Sequence, residues 1–171
     1  MLQDRVIRNL HNREYTYDEF VQIIKEYDRN GAEFYIGTDS QIIKKKISIV
    51  TCICVCVRGS NKVFYIKDRL NKNDLKNMQM PAFVLRQTKD ISAIRLRMLL
   101  EAYRSIECAM EVEPYIKNKL HVHLDIGSTN KSRTSAFQKE LEYLVQSQGY
   151  GCAIKPDSWA ASAVADKMTK S

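Results

Sequence analysis

Apolar residues first fall into step after Tyr15, where TYDEFVQIIKEY repeats Phe20, Ile23, Ile24 and Tyr27 at helical spacing. Thr16 and Glu19 form a capping-box signature at its start, and Gly31 in DRNGAE is a stop signal. AEFYIG follows as a strand. In QIIKKKISIVTCICVCVRG, Ile47, Ile49, Thr51, Ile53, Val55 and Val57 alternate with Ser48, Val50, Cys52, Cys54 and Cys56, which predicts a second strand. Both its faces are apolar from Val50 onward, as expected of a strand that is central or covered by helices. RGSNK reads as a turn, and KVFYIKD returns as a third strand in an antiparallel hairpin.

Periodicity fades from Arg69 to Asp90, a basic stretch interrupted by Pro81. It reads either as a substrate-contacting lid or as a solvated linker. ISAIRLRMLLEAYRSIECAMEVEPYI is the strongest helical pattern and stops near Pro114. LHVHLDIG is a fourth strand, KSRTSAFQKELEYLVQSQG an amphipathic helix ending at Gly149, and YGCAIKP a short fifth strand. PDSWAASAVADKM is a last helix, with Asp157 or Ser158 as its cap. This order implies an α/β fold built on a five-stranded mixed sheet. Three strands run antiparallel, two more lie parallel to the first, and helices cover both faces.

The 171 residues suit a single domain, here residues 16–171 behind a polar N-terminal extension at 1–15. Lys and Arg number 27 against 20 Asp and Glu, and the net charge of +7 favours an anionic partner such as nucleic acid. Of the five cysteines, Cys52, Cys54 and Cys56 alternate along one strand, while Cys108 and Cys152 stand alone. No second Cys or His pair completes a zinc site, so these are expected to be buried thiols in a reducing compartment. MLQDRVIRNL lacks the apolar centre of a signal peptide, and no apolar run is long enough to span a bilayer. A cytoplasmic location is therefore expected.

FYIGTDS and VHLDIGS each close an apolar strand with an aspartate. If those strands are parallel neighbours, Asp39 and Asp125 sit side by side, ~4.8 Å being the usual strand separation. Two carboxylates that close repel unless a proton or cation lies between them, and Mg²⁺ or Mn²⁺ accepts such oxygen ligands. The competing reading makes each aspartate a turn former. Glu101 is the best third carboxylate, because it shares a helix face with Ile94, Met98, Ser105 and Cys108. A fourth is open between Asp157, which follows the fifth strand directly, and Asp166 farther along the last helix. Asp157 reads equally as a helix cap, and Asp166 as a solvated surface residue. Lys131, Arg133 and Lys155 lie where they could hold phosphates, with Ser40 and Gln41 beside Asp39. Lys44, Lys45 and Lys46 read as a charged hairpin edge, and His121 and His123 as structural residues on one side of their strand.

IGTDSQ at 36–41, HLDIG at 123–127, IKPDSWAAS at 154–162 and ADK at 165–167 resemble the ribonuclease H-like superfamily. Within it the chain is similar to the YkuK-type family of bacterial and phage ribonuclease H-like proteins, from about Thr16 to the C-terminus. The resemblance implies that Asp39 and Asp125 are the two strand carboxylates and that Glu101 takes the helix position. For the last position it favours Asp166, whereas sheet geometry favours Asp157. The function expected is a Mg²⁺- or Mn²⁺-dependent nuclease acting on RNA, an RNA/DNA hybrid or structured DNA, with water as the nucleophile. Two alternatives stand beside it: a noncatalytic nucleic-acid-binding protein of the same fold, and a structural or partner-binding protein whose aspartates only cap turns.

Overall fold

The computed structural model describes residues 1–44, 46–71, 93–127 and 132–170, the side chains at 93, 94 and 132–136 aside. Most of the aperiodic stretch from Arg69 to Asp90 falls outside the described residues, as do Lys45 and Lys131. The elements run β1 (Ile7–Asn9), β2 (Glu14–Tyr15), α1 (Tyr17–Arg29), β3 (Glu33–Ile43), β4 (Lys46–Val57) and β5 (Ser60–Asn71). Then follow α2 (Ala93–Val112), β6 (Leu120–His123), α3 (Ser132–Ser147), β7 (Gly151–Ala153), a π-helical stretch at Ala160–Ala165 and α4 (Asp166–Lys170). None of the described helices is long and apolar enough to cross a membrane.

Among the described residues the sheet has seven strands in the order β2-β1-β5-β4-β3-β6-β7, where five were expected. The two additional strands come from residues 1–15, which read as polar because β1 and β2 are too short to carry a pattern. This segment is anchored rather than loose. Leu2 and Ile7 are fully buried, and Arg5 pairs with Asp68 of β5 at 2.7 Å. The other strands pair as expected. β3, β4 and β5 form an antiparallel meander, and β6 and β7 lie parallel to β3.

Local chemistry accounts for the helix boundaries. The Thr16 hydroxyl accepts from the Glu19 N–H, and the Glu19 carboxylate accepts from the Thr16 N–H at 2.8 Å, completing the capping box. Gly31, at φ +80°, takes the left-handed conformation that ends α1. The terminal helix departs from expectation. It begins at Trp159, its first N–H bonds going to the Ser158 carbonyl, and neither the Asp157 nor the Ser158 side chain caps it.

Alternation along the strands divides the core in two. Phe34 and Ile36 of β3, Ile53 and Val55 of β4, and Val122 of β6 face a large cluster built with α1, α2 and α3. The opposite face carries Val50, Cys52, Cys54 and Tyr65, covered by Ala160 and Ala165 of the terminal helix. Cys52, Cys54 and Cys108 are therefore small apolar packing units, whereas Cys56 and Cys152, expected to be buried, are only partly so; all five are free.

Gly37 decides how closely that terminal helix can approach. A Cβ built at this position would stand 2.3 Å from the Ala161 nitrogen and 2.5 Å from the Ala160 carbonyl carbon. Both are backbone atoms, so the helix itself would have to move. We therefore expect Gly37→Ala to destabilise the protein by about 1–3 kcal/mol. Gly127→Ala, where an added Cβ meets nothing within 4 Å, should stay within about 0.5 kcal/mol of wild type. Urea unfolding of both variants measures the difference.

Candidate functional site

Asp39 is not in a turn. β3 continues past it to Ile43, and Asp39 pairs with Val50 of β4. On its other side, β6 pairs with β3 only as far as Gly37 and His123. Asp39 lies two residues beyond that last pair, and so does Asp125. The two carboxylates thus stand where β6 leaves the sheet and β3 goes on. The turn-forming reading of Asp39 fails on this register.

β3 alternation sends its polar residues to both faces. Asp39, only 7% exposed, turns toward the terminal helix, where the Thr169 hydroxyl donates to its Oδ2 at 2.8 Å. Thr38 and Ser40 turn toward α2. The Ser105 hydroxyl of α2 donates to Thr38 at 2.8 Å, Thr38 and Thr51 share a bond of 2.9 Å, and Ser40 donates to Glu101 at 2.5 Å. These hydroxyls make a polar seam through an otherwise apolar interface and hold Glu101 in place. Arg97, one turn before Glu101, donates its Nε–H to the Ser40 hydroxyl at 3.0 Å and bonds the Ser40 carbonyl as well.

Charge gathers here. Burial raises the Asp39 carboxyl above its usual range, and the neighbouring Asp125 and Asp166 carboxylates raise it further against the Thr169 hydrogen bond. Burial pushes Glu101 up to about 8; repulsion from Asp39 and Asp125 adds to this, while Ser40 and Arg97 oppose it. Asp39 is therefore within electrostatic reach of Asp125, Asp166 and Glu101, and Glu101 is within reach of Asp125 as well. Asp157 is exposed and acts instead on His123.

Each of the four carboxylates also has its own protein partner. Lys155 Nζ stands 2.6 Å from Asp125 Oδ1, and Lys170 Nζ stands 2.6 Å from Asp166 Oδ2. The Asp125 oxygen is sealed from solvent and accepts no well-directed hydrogen bond despite this ion pair. A carboxyl oxygen so placed suits a hard divalent cation in its donor chemistry. Among the described residues, however, no three His, Cys, Asp or Glu side chains are grouped closely enough to hold a metal.

The remaining expected residues lie as follows. Ser40 is buried and committed to Glu101, and Gln41 is half-buried in β3. Arg133 is in the first turn of α3, with its side chain outside the described residues. His123 is buried, its Nδ1 accepts the Ala160 N–H at 3.1 Å, and burial lowers its pKa to about 4. Thr169, Lys170 and Arg97 were not anticipated. Lys170 and Arg97 had a sequence signal, since each sits four residues from its carboxylate on one helix. Thr169 had none.

Comparison with known proteins gives one finding. The family described as Ribonuclease H-like matches this chain over residues 16–170. No curated protein matches it.

The protonation of Glu101 has a measurable consequence for stability. Its folded pKa of about 8 lies above the ordinary 4.5, so between those values the folded state keeps a proton that the unfolded chain has lost. Stability from this group is therefore full at low pH and is lost as pH rises toward 8. In metal-free buffer, Glu101→Gln should resemble wild type at pH 5 and exceed it at pH 8.5 by on the order of a few kcal/mol. Urea midpoints at the two pH values check this. His123 works in the opposite sense below pH 6.5, and the wild-type-to-variant difference cancels it.

Proposed function

Because the chain belongs to the ribonuclease H-like family, we propose that it is a divalent-metal-dependent nuclease hydrolysing phosphodiester bonds in RNA, an RNA/DNA hybrid or structured DNA. The observation that carries this reading is that Asp39 of β3 lies within electrostatic reach of three other carboxylates, Glu101 of α2, Asp125 at the end of β6 and Asp166 of α4. Asp39, Asp125 and Glu101 would hold Mg²⁺ or Mn²⁺, and Asp166 is favoured over Asp157 as the fourth carboxylate. When bound, such an ion supplies activation of water and neutralisation of charge developing on the phosphate. Kinship with the YkuK-type family is part of the same proposal.

The protein's own groups divide the remaining work. Lys155 pairs with Asp125 in the free protein, and its side chain is about half exposed. Incoming phosphate offers it a competing anion, so Lys155 is suited to pass from carboxylate to substrate backbone. Lys131 and Arg133 belong to the same proposed backbone-binding set. Arg97 and Ser40 orient Glu101 without reaching solvent freely. Thr169 fixes the Asp39 rotamer.

A second reading has its own support. Every one of the four carboxylates already has a protein donor or cation, and the described residues contain no three-ligand group. A noncatalytic nucleic-acid-binding protein of this fold would look the same.

Calorimetric titration of Mn²⁺ into metal-free wild type and Asp39→Asn/Asp125→Asn separates the two readings. The nuclease reading expects saturable binding in wild type, with or without a noncleavable oligonucleotide, and its loss in the double variant. It also expects Asp39→Asn to lower cleavage of labelled RNA, hybrid or DNA by about 100-fold or more, with folding retained. Salt-sensitive nucleic-acid binding without Mn²⁺ binding or turnover would favour the second reading. Equal cleavage by wild type, Asp39→Asn and Asp125→Asn would overturn the first.

A further inference from the structure

Trp159 is the only tryptophan of the chain, and it is 38% exposed. Its ring is nonetheless held firmly. Tyr35 lies 4.9 Å away at 50°, and His123 lies 5.2 Å away, edge to face at 83°. Both supports are fixed in turn. Tyr35 stacks on His121 at 4.9 Å and 14°, and its hydroxyl donates to Glu33 at 2.7 Å. His123 is locked by the Ala160 N–H. Four rings from β3, β6 and the start of the terminal helix thus form one rigid cluster, with the indole outermost.

The position of the cluster suggests its use. Trp159 packs on His123, which lies two residues before Asp125, or ~7 Å along an extended chain. Lys155, whose ammonium holds Asp125, comes from the same connection that leads into Trp159. An exposed, immobilised ring and a lysine with a half-exposed side chain are thus four residues apart on one connection, tied through His123 and Asp125 to the same strand end, in a chain of net charge +7. A polynucleotide presents this same pair of features, a flat base and an adjacent anionic phosphate. The exposed Asp157 carboxylate lies between Lys155 and Trp159 in sequence, and it disfavours phosphate on its own side.

We propose that Trp159 is a stacking platform for an unpaired nucleobase in a single-stranded segment, whose neighbouring phosphate meets Lys155. The inference rests on the nucleic-acid reading of the carboxylate site and narrows it to substrates with an unpaired nucleotide there. A base still stacked within a duplex has no free face to offer the indole. Stacking on an aromatic ring tolerates any base, so little sequence preference is expected from this contact.

Because the chain has a single tryptophan, its emission reports this ring alone. The test titrates metal-free protein with a labelled DNA single strand of about a dozen nucleotides, a length within the usual site sizes. Indole emission and label anisotropy are followed together. The comparators are an abasic strand of equal length and charge, and a blunt duplex. The expected result is saturable quenching by the single strand and none by the abasic strand or the duplex. Trp159→Ala should weaken single-strand binding by about 5- to 150-fold and leave abasic-strand binding unchanged. Trp159→Phe, which keeps a ring against Tyr35 and His123, should retain most of the affinity. Unchanged emission while anisotropy reports binding would overturn the proposal, as would equal single-strand affinity in wild type and in a folded Trp159→Ala. If no nucleic acid changes either signal, the underlying nucleic-acid reading fails and the stacking proposal fails with it.

Discussion

The contact between the terminal helix and Gly37 is the constraint on which the rest of the site depends. Ala160 and Ala161 press their backbone onto a strand position that has no side chain. That approach seats Thr169 against Asp39 and brings Asp166 within electrostatic reach of Asp39. It also presents the Ala160 N–H to His123 and sets Trp159 on the ring cluster. Small residues on the helix and an absent side chain on the strand are two halves of one arrangement. They trade apolar burial at that point for the placement of polar groups a few residues away.

On the other face of β3 the logic is reversed. There α2 packs through large apolar residues, and a line of hydroxyls interrupts the packing to reach Glu101. Burying a carboxyl costs less when it keeps its proton, and Glu101 does so at neutral pH in the free protein. The site therefore restrains its own repulsion by two means, protonation on the α2 side and lysine ion pairs at Asp125 and Asp166. Both means are reversible, since a proton and a lysine partner can each be given up. A permanently satisfied network would only add rigidity.

The pattern of the chain carried most of the architecture. The capping box at Thr16, the alternation through Val57 and the parallel placement of β6 and β7 follow from local rules, and the family match over residues 16–170 agrees with the ribonuclease H-like part of the resemblance read from the motifs. Strand count did not follow, since three residues of β1 and two of β2 are too few for any period to register. The last helix was legible as a helix but not in its form. A run of alanines is compatible with α- and π-helical turns alike, and contact with Gly37 is a tertiary matter.

By itself the sequence determined which residues alternate, where helices start and stop, and which acids end apolar strands, because those properties depend on neighbours within a turn or a strand. Only the tertiary structure decided which acids share a field. Asp166 joins Asp39 although Asp157 is closer in sequence to the fifth strand, because the terminal helix packs over Gly37 and carries Asp166 back toward Asp39. Charge interactions depend on distance through space, and that distance was set by one missing side chain on β3.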